Sequence, residues 1–502
     1  MLIEGGASVS NTDGYIAARQ YRGTVIVTGT DSTWINNNAL RMGSFPGGNK
    51  GELIIEAGGR VSSTDMSMSN GSIVKVSGTD SLLEITGLDF SIGNGGSGAS
   101  GEFPNSLAIE AGGRVVSPFT HVRDASLVTV TGTGSTWAID DFVSFEPGSK
   151  LLVADGGQVE VTTTGGVGGL NLGSQSLISI SGGTLSTREI FNMGGTVDFV
   201  HGALNLTDSG LVVGSSGLLG ESVNIPSNSS IGVSQAVTVD ANAELIVDGS
   251  LSSSNIANNG HLALISTVLD QPLVSPAGST IDVIGDVTFS GLVSGAGNIF
   301  GSGTVTFNGG YSPGDSPALV TVENGAAFGG ANTLFMELGG VMPGAEHDAL
   351  DVAGTLAVDG TLEVSLVNAY APSAGDSFDL LDFGSLTGAF DAVNLPALTG
   401  GMSWDQSQLH TDGVLRVLSS IAGDYNNDGL VDAADYTVWR DNEGAPAGTL
   451  PNDADGGVIG TAQYDTWRNN YGDTLPALSN AVPEPGGLVL CLAALAPARR
   501  RR

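Results

Sequence analysis

From its first residues the chain alternates apolar and polar positions in short runs closed by glycines. A period of two marks short β-strands that bury one face. The runs recur in two forms. LIIEAGGRV at 53–61 returns as LAIEAGGRV at 107–115 and LLVADGGQV at 151–159, with a looser copy, LIEGGASV, at 2–9. Between them stands a second form: VIVTGTDSTW at 25–34, VKVSGTDSLL at 74–83 and VTVTGTGSTW at 128–137. The repeat is about 50 residues long, and such a unit cannot close a core by itself. Stacked on its neighbours, it buries Ile, Leu and Val inside a coil, so the pattern predicts a β-solenoid; a series of β-sandwiches is the alternative.

Residues 1–166 carry the regular repeats. Over 167–287 the period shortens and blurs, as in ISISGGTL at 178–185, and an irregular solenoid continuation is expected. Residues 288–418 change texture, with YSPGDSP at 311–317 and loosely alternating strands after it. They are expected to form a β cap that covers the open end of the last coil. The pattern turns helical only at AADYTVWR (433–440), echoed 28 residues later by TAQYDTWR (461–468). In each copy Tyr and Trp are three apart and share a helical face, which predicts core between the two helices. The expected fold class is therefore mainly β, a solenoid with a β cap, followed by a small α-helical module at 421–473, a linker at 474–482 and a tail at 483–502.

Composition fits many short strands and tight turns. The 502 residues include 77 Gly, about twice the ordinary share. Lys and Arg number 17 against 52 Asp and Glu, a formal net charge of −35. That balance excludes nucleic acid, whose phosphates need basic residues, and suits work among divalent cations outside the cell. Hydrophobic residues are 40% and charged ones 14%, so the chain is not a disordered polyelectrolyte. Cys491 is the only cysteine, so rigidity must come from backbone hydrogen bonds rather than disulfides. The chain begins inside a repeat, without a charged segment and apolar run of the signal-peptide kind. Export is read from the other end.

The strongest chemical signal is DYNNDGLVDAAD at 424–435. A calcium loop of the EF-hand type needs oxygen ligands at positions 1, 3, 5, 9 and 12, a backbone carbonyl at 7 and Gly at 6. Those places hold Asp424, Asn426, Asp428, Asp432, Asp435, the Leu430 carbonyl and Gly429. The aligned second loop, 452–463, keeps Gly457 but lacks oxygens at positions 3, 5 and 9 and puts neutral Gln463 at 12. One calcium is expected, the second half-site being structural only.

Aspartate rather than glutamate at position 12, followed by a duplicated helix, resembles the dockerin type I module of cellulosome-like systems. The resemblance implies calcium as cofactor and a cohesin-like protein as partner. The repeats at 1–166 resemble those shared by type V autotransporter passengers and PEP-CTERM proteins, and 288–418 resembles the closing segment of such passengers. This implies a surface-exposed β-helical stalk. The tail reads Pro483-Glu484-Pro485, an apolar run, then Arg499-Arg500-Arg501-Arg502. It resembles the PEP-CTERM sorting signal, which implies processing by an exosortase-type enzyme in the envelope of a Gram-negative-type bacterium. Its run of about 12 apolar residues is shorter than the ~20 of a stable span, so membrane contact is transient.

Catalytic chemistry is not visible. No stretch outside the loop gathers carboxylates with a basic or aromatic partner, as a glycosidase or lyase needs. The five histidines are scattered; His347 beside Asp348 reads as a solvent-facing turn. GNGGSG at 93–98 satisfies a dinucleotide-binding spacing, but no helix pattern follows it. Trp34 and Trp137 hold matching repeat positions, which favours stacking along the solenoid over a sugar platform. The sequence points to a secreted, non-enzymatic structural or adhesive protein at the cell surface, associated with an envelope or extracellular polysaccharide or a docking protein. A carbohydrate-active enzyme recruited through its dockerin-like module is the alternative, and a calcium-stiffened spacer without a partner is a third reading.

Overall fold

The computed structural model describes residues 1–17, 21–43, 49–93, 104–162, 168–314, 317–399 and 402–474. Residues 483–502, which resemble a sorting signal, and all but the first residue of the glycine motif at 93–98, lie outside them. Strands hold 51% of the residues and helices 4%, and among the described residues no helical layer covers the sheets. Among the described residues no helix is long and apolar enough to cross a membrane. The chain forms two compact units: Met1–Tyr370 with Phe378–Pro396 and Leu409–Val414, and the remainder from Ala371 on.

The first unit is a solenoid-like stack of parallel strands. Three sheets of 23, 9 and 12 strands are built from parallel pairings between one coil and the next. The two sequence forms turn out to occupy one place. Val25 pairs with Leu53, Leu53 with Val74, Val74 with Leu107, Leu107 with Val128 and Val128 with Leu151. Each sequence repeat is thus two coils, and both forms feed the same inward column. Leu53, Val74, Leu107, Val128 and Leu151 are all 0% exposed, a continuous apolar ladder.

Glycine and serine set the phase of this alternation. In the first form Gly58 has φ +88° and Gly112 φ +89°, a conformation open to glycine at little cost. The next glycine sits against backbone: a Cβ at Gly59 would lie 2.3 Å from the Val27 carbonyl oxygen, and at Gly113 2.4 Å from that of Val76. The serine of the second form completes the joint. Ser81 Oγ accepts from Gly58 N at 3.0 Å and Ser135 Oγ from Gly112 N at 3.0 Å, both serines being buried.

Trp34 and Trp137 point inward, 3% and 0% exposed, in the column Val9, Trp34, Val61, Leu83, Val115, Trp137. Their indole N–H groups donate to Asn11 Oδ1 (2.7 Å) and Ser117 Oγ (3.1 Å). A buried ring with its polar atom satisfied offers no platform to a sugar. Further along, Phe289, Phe307 and Phe328 take over as an internal stack, with Phe289 to Phe307 centroids 5.6 Å apart.

The ladder crosses the sequence boundary at 287 and 288 without a break: Thr280–Ile284 pairs with Asn298–Gly301, and Ala349–Val358 with Leu381–Gly388. The expected solvent-facing turn at His347 is corrected here, since His347 is 0% and Asp348 1% exposed. His347 lies within hydrogen-bond distance of two carbonyls, Nδ1 to Gly340 O at 3.1 Å and Nε2 to Asp379 O at 3.2 Å. Asp348 accepts from Ala318 N and Glu337 N, each at 2.9 Å. A local Asp-rich turn pattern does not disclose that the neighbouring coils supply these partners.

The second unit holds an antiparallel pair in which Met402 lies opposite Ser419, Trp404 opposite Val417 and Asp405 opposite Arg416. It also holds two helices, α1 (Ala433–Asp441) and α2 (Thr461–Asn469).

Burial pushes the Asp348 carboxyl up to about 6, against the pull of its two amide donors. A group whose pKa is raised on folding stabilises the fold below its unfolded pKa and loses that contribution as pH rises through the folded value. The late coils should therefore lose stability between pH 4 and about 6 on this account. Denaturant midpoints across that range should show the fall in wild type. Asp348→Asn should give a flatter profile and a lower midpoint throughout, because an amide oxygen accepts on one side only.

Candidate metal centre

The loop ahead of α1 is held by its own carboxylates. Asp424, 2% exposed, accepts from Asp428 N (3.1 Å) through Oδ1 and from Gly429 N (2.9 Å) through Oδ2. Asp435, 0% exposed, accepts from Asn426 N (2.9 Å) and Asp432 N (2.8 Å). Asp428 Oδ1 accepts from Leu430 N, and its Oδ2 from Asn426 Nδ2. Gly429 has φ +85°, which permits the sharp turn at position 6. Asp432 is the N-cap of α1, its Oδ1 taking Ala434 N at 2.7 Å, while Asp435 completes a capping box.

This arrangement concentrates negative charge. Burial raises the pKa of Asp424 above the ordinary carboxylate range; backbone donors oppose the rise, and the charge of Asp435 adds to it. Two buried carboxylates that repel each other, among further oxygen donors, are what a hard cation would pair with. Asp424, Asn426, Asp428, the Leu430 carbonyl, Asp432 and Asp435 all fall within the twelve residues 424–435. Among the described residues no three Asp, Glu, His or Cys side chains close on one point as a metal-ligand group. A cation in this loop would draw on the amide and backbone oxygens as well as the acids.

The second loop is closed differently. Gln463, 0% exposed, accepts from Gly460 N (2.8 Å) through Oε1, the same place that Asp435 fills for Asp432 N. Its Nε2 donates to Gly456 O at 2.8 Å and approaches Asp453 Oδ1 at 3.3 Å. The amide supplies a positive end inside a loop that otherwise has few charged ligands. Asn452 turns away from its own loop and donates to Asp424 O (2.8 Å) and Asn427 Oδ1 (3.0 Å) of the first.

Reciprocal bonds join the halves. Trp439 Nε1 donates to Gly460 O (2.9 Å) and Trp467 Nε1 to Asp432 O (2.7 Å), so each tryptophan holds the start of the other helix. Val431 N donates to Asp473 O, and Ile459 N to Ala445 O, at the same loop position in each copy. Tyr436, Trp439, Tyr464 and Trp467 meet as one cluster, with Trp439 to Tyr464 centroids 5.0 Å apart. These rings are half-buried; the fully buried core is Tyr425, Leu450 and Ile459. Tyr425, which the motif leaves as a spacer, donates its hydroxyl to Gln463 O at 2.6 Å. Its signal in the sequence is only that it is an aromatic between two ligand positions.

Gln463→Ala should leave Gly460 N and Gly456 O without partners and cost about 1–3 kcal/mol of helix-pair stability. The loss should be read from the near-ultraviolet circular dichroism of the tryptophans during denaturation. Calcium response at the first loop should remain.

Compared with known proteins, no family model matches the chain and no curated protein matches its sequence.

Proposed function

We propose that this chain is a non-enzymatic structural or adhesive protein of the cell surface. A solenoid-like stalk extends it, and a calcium-ordered helix pair at its C-terminal side docks a partner. The observation that carries the calcium reading is the buried pair Asp424 and Asp435, whose mutual repulsion a divalent cation would relieve. Asp424, Asn426, Asp428, Asp432, Asp435 and the Leu430 carbonyl would hold the ion. Calcium would supply charge neutralisation and crosslink the loop to the start of α1, which fixes the N-cap that Trp467 grips. The Gln463 amide supports a count of one ion rather than two.

The likeness of 421–473 to dockerins makes a cohesin-like protein the first partner to seek. The likeness of 483–502 to a PEP-CTERM signal, through Pro483, Glu484, Pro485 and Arg499 to Arg502, supports delivery to the envelope by an exosortase-type enzyme.

Calorimetric titration of the full chain with calcium chloride should give one site. Asp428→Ala should weaken it by about tenfold or more, since a charged ligand is lost. An unchanged isotherm for the variant, or no heat in the wild type, would overturn the assignment.

A further inference from the structure

One outward face of the N-terminal stack differs from the others. Tyr15 pairs in register with Arg41, Arg41 with Ser67, and Ser67 with Ser91. Ser91 pairs with His121, His121 with Ser144, Ser144 with Asn171 and Asn171 with Phe191. This single column runs through eight coils and, apart from the buried Ser91, presents aromatic, hydroxyl, imidazole, guanidinium and amide groups. Among the described residues of 1–192, Tyr15, Phe119, Phe142 and Phe191 are outward aromatics of this face, while the exposed Tyr21 sits in the bend before Gly23–Thr28. Phe119 and Phe142 stack at 5.4 Å beside the column, and Phe119 meets the His121 ring edge-on at 4.6 Å. Tyr15 is 52% and Phe191 44% exposed.

The charges here are paired. Arg41 lies 3.3 Å from Asp13 and Arg123 Nε 2.5 Å from Glu146 Oε1. Paired ions leave directional donors and acceptors but little net field. At the centre, His121 Nδ1 is buried with no hydrogen-bond partner, 3.9 Å from Glu146 Oε1 and so outside bonding reach. Burial first, then the Arg123 charge, holds this histidine below its ordinary pKa, so the ring is neutral at pH 7. A buried polar atom left unpaired is costly.

We propose that this face binds a neutral, extended β-linked polysaccharide along the stack axis. Each coil advances the column by about 4.8 Å, close to the length of one hexopyranose in an extended chain. Successive coils therefore offer contacts at about the spacing of successive sugar rings. Aromatic surface meets the apolar C–H faces of sugars, and the Arg123, Glu146 and His121 group meets their hydroxyls. The chain's net charge of −35 disfavours a polyanion. A protein partner would ask for a contiguous apolar centre, which this interleaved column lacks. The inference rests on the adhesive reading for its purpose but on the solenoid face alone for its residues.

Native affinity electrophoresis of the full chain, in gels containing hydroxyethyl cellulose or galactomannan, tests it against gels containing polygalacturonate. Retardation is expected in the neutral glycans, both with calcium and with EDTA. Phe142→Ala should weaken it about tenfold, and the exposed Phe191→Ala severalfold without touching the core. Lys75→Ala, on a different face, should behave as wild type. No retardation by the neutral glycans, preference for polygalacturonate, or equal retardation of wild type and both phenylalanine variants would overturn the proposal. Retardation abolished by EDTA would also overturn it, by moving binding to the helix module. The calcium assignment stands or falls separately, by calorimetry.

Discussion

Everything in the first unit depends on the lateral register of parallel coils. A parallel ladder places like positions of successive coils directly above one another, about 4.8 Å apart. A side chain's fate is then decided by its column: inward columns become apolar ladders and outward columns become surface stripes. A slip of one residue would exchange the two sets. The glycine and serine joints hold that phase, because Gly59 and Gly113 tolerate no Cβ against the coil below and Ser81 and Ser135 hold the positive-φ glycines.

The same register explains how short strands with ordinary residues reach a rigid assembly without disulfides. Each coil is too small to bury its own face, and its neighbours complete it. Internal aromatics change along the stack, from Trp34 and Trp137 to Phe289, Phe307 and Phe328. The change keeps the interior filled while the sequence repeat fades. Continuity of the coil therefore outlasts continuity of the motif.

The helix pair works by another rule, exchange between two copies of one segment. Each copy gives its tryptophan to the other's helix start, so neither loop is closed by its own half alone. Within that symmetry the two loops diverge at one position. Asp435 and Gln463 make the same bond to the N-cap amide, but one adds a buried charge and the other a buried donor. The frame is symmetric and the charge it carries is not.

The sequence by itself determined whatever is local in chain position. The alternation and its repeats specified strands, inward Leu, Ile and Val, and a stacked parallel architecture. The spacing of Asp424, Asn426, Asp428, Gly429, Asp432 and Asp435 located one loop ahead of one helix, and the later copy at 461–468 located the second. Tertiary structure decided what depends on neighbours distant in sequence. That the two repeat forms share one column, that His347 and Asp348 are buried, and that each tryptophan of the helix pair holds the other helix's start all follow from partners on other coils or turns. The Tyr15 to Phe191 column is the clearest case. Its members are scattered over 177 residues and show no motif, because only lateral strand register makes them neighbours.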